Sequence, residues 1–422
     1  MRNRLLPIGV AIAAAMAVIA RCDARRDVEV VLALMAAASA AYLLAVWLVS
    51  SRKPADTRGL WLCLALALAC RAPLLPVEPT LSDDIYRYVW DGRLQQRGLD
   101  PYTVVPNDPA FAPVHTDVTR KLNQPGMPTL YPPVAEWVFR GIAAVSESVI
   151  AFKLTFLALD ITVMLLLWRW LARTGRSPWG VLVYAWNPLV ILEIAGSGHL
   201  DSIGVLLVTI SFLALGASIT WLAAVALVAA MGVKFLPIVL VPLFWKRIRV
   251  RDAVFAVVFG LIVAAPFALP SMRLPVGSLS LYLEKWRFNG FFYGLAEHVI
   301  KTRWLSLLPA VAGFTVALWI RFRGLHESRS AWAWPMGAAL LCMNTVYPWY
   351  LLWLVPFLGE FETLPLLVWT QSALATYYVF RVWASTAVWD IPWWVTALEF
   401  GSVAIAAIWV VIRSRQPSHE VH

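Results

Sequence analysis

Between Ser82 and Arg93 the chain reads S-D-D-I-Y-R-Y-V-W-D-G-R, which puts three carboxylates and two guanidinium groups into one short segment. A carboxylate held beside a substrate hydroxyl can act as a general base, and cations can hold a phosphate leaving group. Asp84 and Asp83 are the candidate bases. The segment reads as a helix opened by Ser82 or Asp83 and stopped by Gly98 and Pro101. On that helix Asp84, Arg87, Tyr88 and Asp91 share a face, which gives Asp84 neighbours able to orient it. Asp83 is expected to cap the helix and to orient Arg87. Arg93 extends the polar set. Ile85, Val89 and Trp90 lie on another side, suited to resting on lipid.

Further polar groups occur where an apolar chain has least use for them. Tyr131-Pro132-Pro133, followed by Glu136, closes the polar stretch that the aspartates open. Asn187-Pro188, Glu193 and the run Gly196-Ser197-Gly198-His199-Leu200-Asp201 put acids and an imidazole near membrane depth, where ionisable groups point to function. The structural alternative is a His199–Asp201 hydrogen bond across a glycine turn. Lys234, in K-F-L-P, and Arg287, in E-K-W-R-F-N, are cations among aromatics that suit a phosphate head-group. Interfacial snorkelling is the alternative for both. Tyr350, in N-T-V-Y-P-W-Y, and Arg381 are interfacial candidates of the same kind. Lys153 and Asp160, seven apart on one helix, are expected to pair with each other.

The elements that must position these groups are membrane helices. Of 422 residues, 60% are hydrophobic and 14% charged, and the mean hydropathy is +0.70. Apolar runs of spanning length recur along the chain. The expected fold is all-α, a polytopic membrane helix bundle of about 11–14 spans, several of them half-helices broken by proline. Residues 131–149 are apolar yet carry Glu136 and Arg140, so their crossing stays open. The net charge of +10 resides in short loops such as Arg52/Lys53/Arg58, Arg169/Arg173/Arg176, Lys246/Arg247/Arg249/Arg251 and Arg321/Arg323/Arg329. That is the positive-inside pattern of cytoplasmic loops and not a nucleic-acid surface. With those loops inside, residues 78–130 lie outside, together with the turns around His199, Leu274–Gly290 and Asn344–Tyr350. Arg21, Arg25 and Arg26 also fall outside, against the rule. Residues 1–50 read as a retained hydrophobic hairpin, 51–412 as a core containing the extracytoplasmic loop 78–130, and 413–422 as a cytoplasmic tail. The four cysteines show no paired short spacing, so neither a zinc site nor a disulfide framework is indicated.

In order along the chain stand S-D-D-I-Y-R-Y-V-W-D-G-R, G-L-D-P-Y, Y-P-P-V-A, W-N-P-L-V-I-L-E-I-A-G-S-G-H-L-D, V-K-F-L-P and V-Y-P-W-Y-L-L-W-L-V-P. This series resembles the GT-C superfamily of integral membrane glycosyltransferases, especially bacterial polyprenyl-phosphate-mannose-dependent mannosyltransferases. It is also similar to the catalytic subunit of GPI mannosyltransferase I. The resemblance implies inverting sugar transfer from a polyprenyl-phosphate carrier to a glycan or lipid acceptor at the extracytoplasmic face of a bacterial-type inner membrane. It further implies that an acid of the first outer loop activates the acceptor hydroxyl; the matching positions are Asp83 and Asp84. Here the two acids are adjacent, whereas the eukaryotic form is D-x-D, so either can be the base.

No cofactor is assigned; a divalent metal is left open but is not indicated. Two other readings remain. Another polyprenyl-phosphate sugar (glucose, arabinose or aminoarabinose) could be the donor. A transporter would instead show internal symmetry and charges near the midplane; no symmetry is evident.

Overall fold

The computed structural model describes residues 2–51, 57–270, 272, 274–300 and 303–415. Arg52, Lys53 and the tail residues 416–422 lie outside the described set. Among the described residues helix is the dominant structure, and isolated bridges at Phe288–Thr345 and Asn289–Thr345 are the only β pairing. Five helices are long and apolar enough to cross a bilayer: Val28–Ser51, Val149–Arg173, Val250–Ala268, Trp304–Phe322 and Trp393–Arg415. A sixth candidate is broken. Pro178–Ala185 and Pro188–Gly196 meet at 53°, where Asn187 Oδ1 accepts the Leu189 N–H at 3.0 Å and Pro188 opens the second half. Shorter apolar helices, among them Asp201–Gly216 and Thr220–Met231, complete the bundle. Proline and polar turns break the apolar sequence into these pieces.

The first six helices are α1 (Arg2–Ile19), α2 (Val28–Ser51), α3 (Thr57–Arg71), α4 (Asp84–Gln96), α5 (Pro133–Val145) and α6 (Val149–Arg173). With 13 residues, α5 is about 20 Å long, too short to cross alone. It packs against α4 instead. Gly92 makes that approach possible, because a Cβ there would sit 2.6 Å from the Phe139 carbonyl oxygen. Tyr88 stacks on Phe139, ring centroids 4.8 Å apart. Inside the bundle, Arg71 pairs with Asp160 at 2.6 Å and also donates to the Ala67 and Ala185 carbonyls. Asp160 therefore does not pair with Lys153. The Lys153 ammonium donates to the Leu74 and Val77 carbonyls, capping the turn that follows α3.

The polar loops gather at two ends. At one, Arg176 and Arg329 converge on Glu360, Arg247 reaches the His326 carbonyl and Arg321 the Trp245 carbonyl. At the other, residues 78–130 meet 278–289, 344–350 and the His199 turn: Ser278 Oγ donates to the Pro128 carbonyl, and Asn344 Nδ2 to the Leu283 and Trp286 carbonyls. Arg25, the exception to the positive-inside pattern, lies at this second end and pairs with Asp83 at 2.6 Å.

Candidate functional site

Helix α4 starts where Ser82 Oγ accepts the Asp84 N–H at 3.3 Å. Asp83 occupies the N-cap position without a side-chain capping bond; its carboxylate turns outward to Arg25. Nor does Asp83 orient Arg87. The Arg87 guanidinium donates to the backbone carbonyls of Asn123, Gln124 and Met127, and so orders the proline-rich loop over the bundle. Ile85, Val89 and Trp90, expected to face lipid, are fully buried, with Trp90 stacked on His115 at 4.1 Å. The loop covers the face that the helical pattern alone leaves open.

Asp84 turns inward. Asn123 Nδ2 donates to its Oδ1 at 2.7 Å, and His199 Nδ1 lies 3.8 Å from its Oδ2. The other ring nitrogen of His199 is 3.4 Å from Glu193 Oε2, while Tyr377 donates its hydroxyl proton to Glu193 Oε1. His199 and Glu193 are wholly buried, and Asp84 keeps 20% of its side chain exposed. The local backbone sets this arrangement. Ile191–Gly196 is a π-helical turn, a form concentrated at functional sites. The His199 N–H then closes on the Glu193 carbonyl at 2.9 Å. Gly198 holds φ at +70° with the Ile85 side chain 2.5 Å from where a Cβ would stand, so only glycine fits the bend. His199 also ends a column of stacked rings, Phe288–Tyr347–Trp349–His199, with centroid spacings of 4.5, 4.5 and 4.2 Å.

Asp201, two residues on, does not bond His199. Its carboxylate takes the Lys234 ammonium at 2.8 Å on both oxygens and the Trp353 indole N–H at 2.6 Å. Lys234 remains 21% exposed and lies 4.6 Å from the Tyr350 ring centre; the Tyr350 hydroxyl meets that of Tyr282. The Val134 and Ala135 N–H groups of the α5 N-terminus both bond the Gly232 carbonyl, which joins the Y-P-P and K-F-L-P motifs. Tyr131 is buried edge-on to Tyr88.

Below this layer lie Asp91 and Glu136, both fully buried. Thr129 Oγ1 and Gln95 Nε2 donate to Glu136, whereas neither Asp91 oxygen has a donor of its own. Burial raises both carboxyls above the ordinary range, and for Glu136 the Asp91 charge adds to the rise. Both carboxyls are thereby biased toward their protonated form.

The remaining candidates are peripheral. Arg93 bonds Glu147 and the Val114 carbonyl. Arg287 pairs with Glu297 at 2.9 Å, and Arg381 with Glu29 at 3.2 Å. All three stand at the polar end without touching Asp84. Sequence reasoning did not place Asn123, Arg25, Trp353 or Tyr377 in the site; Arg25 showed only as a breach of the positive-inside pattern and Trp353 only as part of the V-Y-P-W-Y-L-L-W motif, while Asn123 and Tyr377 have no signal but contact across the fold. Among the described residues no group of three or more His, Cys, Asp or Glu is arranged to hold a metal ion.

The assembled groups suit hydroxyl activation: a partly exposed carboxylate backed by a buried imidazole, with a cation on the same surface. Residues 7–248, which contain Asp84, His199, Asp201 and Lys234, match the family described as alpha-(1->6)-mannopyranosyltransferase, N-terminal domain. The chain is 25% identical over 371 residues to alpha-(1->6)-mannopyranosyltransferase A of Corynebacterium glutamicum, covering 73% of this chain and 72% of the relative. It is 31% identical over 153 residues to alpha-(1->6)-mannopyranosyltransferase Rv1459c of Mycobacterium tuberculosis, covering 33% of this chain and 25% of that protein. No solved structure matches. On the family match and the apolar helices together, the chain belongs to the alpha-(1->6)-mannopyranosyltransferase family and is an integral membrane mannosyltransferase.

Proposed function

We propose that this enzyme transfers mannose, with inversion, from a polyprenyl-phosphate carrier to a hydroxyl of an envelope glycan, glycolipid or lipid acceptor at the outer face of the inner membrane. Asp84 takes the acceptor proton as the oxygen attacks the anomeric carbon, and the phosphate leaves with the bonding electrons. Lys234, partly exposed and set between Asp201 and the Tyr350 ring, meets the leaving phosphate. Arg287 and Arg381, more exposed at the same end, attract the head-group. Tyr350, partly exposed beside Lys234, lines the approach, and the buried Tyr131 and Tyr88 pack behind it. The relatives' names point to attack by a 6-hydroxyl and an α linkage.

The observation that carries this reading is the inward-turned Asp84, bonded by Asn123 and facing His199 while still partly open. A carrier whose tail stays in lipid suits a site built on loops at one end of the bundle. The clustering of the basic loops at the opposite end supports an extracytoplasmic site. In this scheme residues 1–50 form an added hairpin, 51–412 the catalytic core with its 78–130 loop, and 413–422 a cytoplasmic tail.

The test is purified protein in lipid, given radiolabelled polyprenyl-phosphate mannose or polyprenyl-phosphate glucose with a cell-envelope extract. Label should pass from the mannosyl donor to an extractable glycan or lipid. Transfer from the glucosyl donor alone would replace the donor assignment, and transfer from neither would refute the carrier.

A further inference from the structure

Asp84 is in contact with the outside, but the two groups behind it are not. His199 is fully buried between two carboxylates, 3.8 Å from Asp84 Oδ2 and 3.4 Å from Glu193 Oε2, and neither ring nitrogen has a completed hydrogen bond. An imidazole without partners is costly inside a protein. This one is held in place all the same, by the Trp349 ring on its face and the π-helical turn at its backbone. Its other charged neighbours are already occupied. Lys153, packed against Gly198, gives its ammonium to two carbonyls, and Asp201 is bound by Lys234 and Trp353. The free nitrogens therefore face only the Asp84 and Glu193 carboxylates. Distances slightly beyond hydrogen-bond length are common before a substrate closes a site.

We propose that His199 is a positioning residue that resets the base: it receives from Asp84 the proton taken from the acceptor, with Glu193, itself oriented by Tyr377, stabilising the imidazolium so formed. This rests on the reading of Asp84 as the base. The steps balance. The acceptor O–H bond breaks as its oxygen bonds the anomeric carbon, the C–O bond to phosphate breaks toward phosphate, and the proton goes to Asp84. Asp84 then passes it to His199 Nδ1, while the Nε2 proton stays directed at Glu193. After the products leave, the proton returns through Asp84, the one exposed member of the chain, to water. Buried residues that hold no substrate are thereby given a part in turnover.

Mannosyl transfer and donor binding are to be measured for H199Q, H199F and E193Q, each shown to be folded by its thermal unfolding midpoint, with D84N in parallel. The expected result for H199Q and H199F alike is a fall in kcat of about 10- to 100-fold with the donor KM unchanged. Wild type should show a solvent deuterium effect on kcat that curves with deuterium fraction, as two protons in motion require, and H199Q a smaller, linear one. E193Q should fall between them. Full activity in H199F would reduce the imidazole to a stacking ring and overturn the proposal. So would a raised donor KM at unchanged kcat, which marks a substrate contact, or a deuterium effect identical in wild type and H199Q. An active D84N would instead remove the reading of the base beneath it.

Discussion

Replacing Asp84 by Asn keeps the side chain's shape and leaves an oxygen for Asn123 Nδ2 to bond, but nothing able to take a proton. Transfer by D84N should fall by roughly 10²–10⁴-fold, measured as kcat in the reconstituted assay. Asp83 offers a sharp contrast. Its partner is Arg25, the two side chains are 32% and 46% exposed, and a surface pair of this sort contributes about 1 kcal/mol or less. D83N should therefore keep transfer within a few-fold of wild type; a loss equal to that of D84N would show that the acids share the task. Lys234 requires a paired design. K234A leaves Asp201 buried with only the Trp353 indole, which should cost about 3 kcal/mol of stability, the lower end for a broken buried pair because Lys234 is partly exposed. K234A/D201N should recover the unfolding midpoint and still use the donor poorly. A wild-type donor KM in the double variant would remove Lys234 from the phosphate site. Asp84, His199 and Lys234 are legible in the sequence because charges in so apolar a chain are conspicuous. Their partners are not: Asn123, Trp353 and Tyr377 are ordinary residues until the fold brings them over.

At the scale of elements, α4 and α5 meet through Gly92 and the Asp91–Glu136 pair. Both carboxyls are raised by burial, so the folded chain keeps a proton that the unfolded chain releases once pH passes the ordinary carboxylate range near about 4. The protonated pair's stabilising contribution is full below that range and is lost as pH rises through the raised values. The thermal midpoint in detergent should accordingly decline from mildly acid to alkaline pH, and D91N, which supplies a neutral donor to Glu136, should flatten the decline. Equal slopes in wild type and D91N would show that the pair does not govern it. The extent of the helix is readable from Ser82 at its start and Gly98 past its end. What covers it was not, since a proline-rich loop has no periodicity to say where it lies. Arg87 settles the matter by collecting three carbonyls of that loop, a bond type that leaves no trace in the order of residues. Lys153 and Asp160 are instructive in the same way: a spacing of seven permits a pair along one helix, but Arg71 and the Leu74 and Val77 carbonyls approach from other elements and take both groups.

For the whole molecule, the pattern of basic loops made two ends of the bundle readable without knowledge of the helix packing, while the division of apolar sequence into whole and half spans depended on bends such as the one at Asn187. Of the three arginines that break the basic-loop pattern, Arg25 has a local role: it is engaged by Asp83, and its guanidinium lies 5.8 Å from the centre of the Phe380 ring. Orientation can then be tested on exposed positions far apart in the fold. In a cysteine-free background, A110C and R120C sit on the loop beside Asp84, and R176C and R323C on the opposite basic end; all four native residues are exposed. A membrane-impermeant maleimide applied to intact cells or spheroplasts should label the first two at once and the second two only after permeabilisation. The reverse pattern would put Asp84 in the cytoplasm, where a nucleotide-linked sugar is as available as a lipid-linked one, and the carrier would lose its physical justification. Labelling of all four from outside would mean that the two loop clusters do not lie on opposite sides of the bilayer.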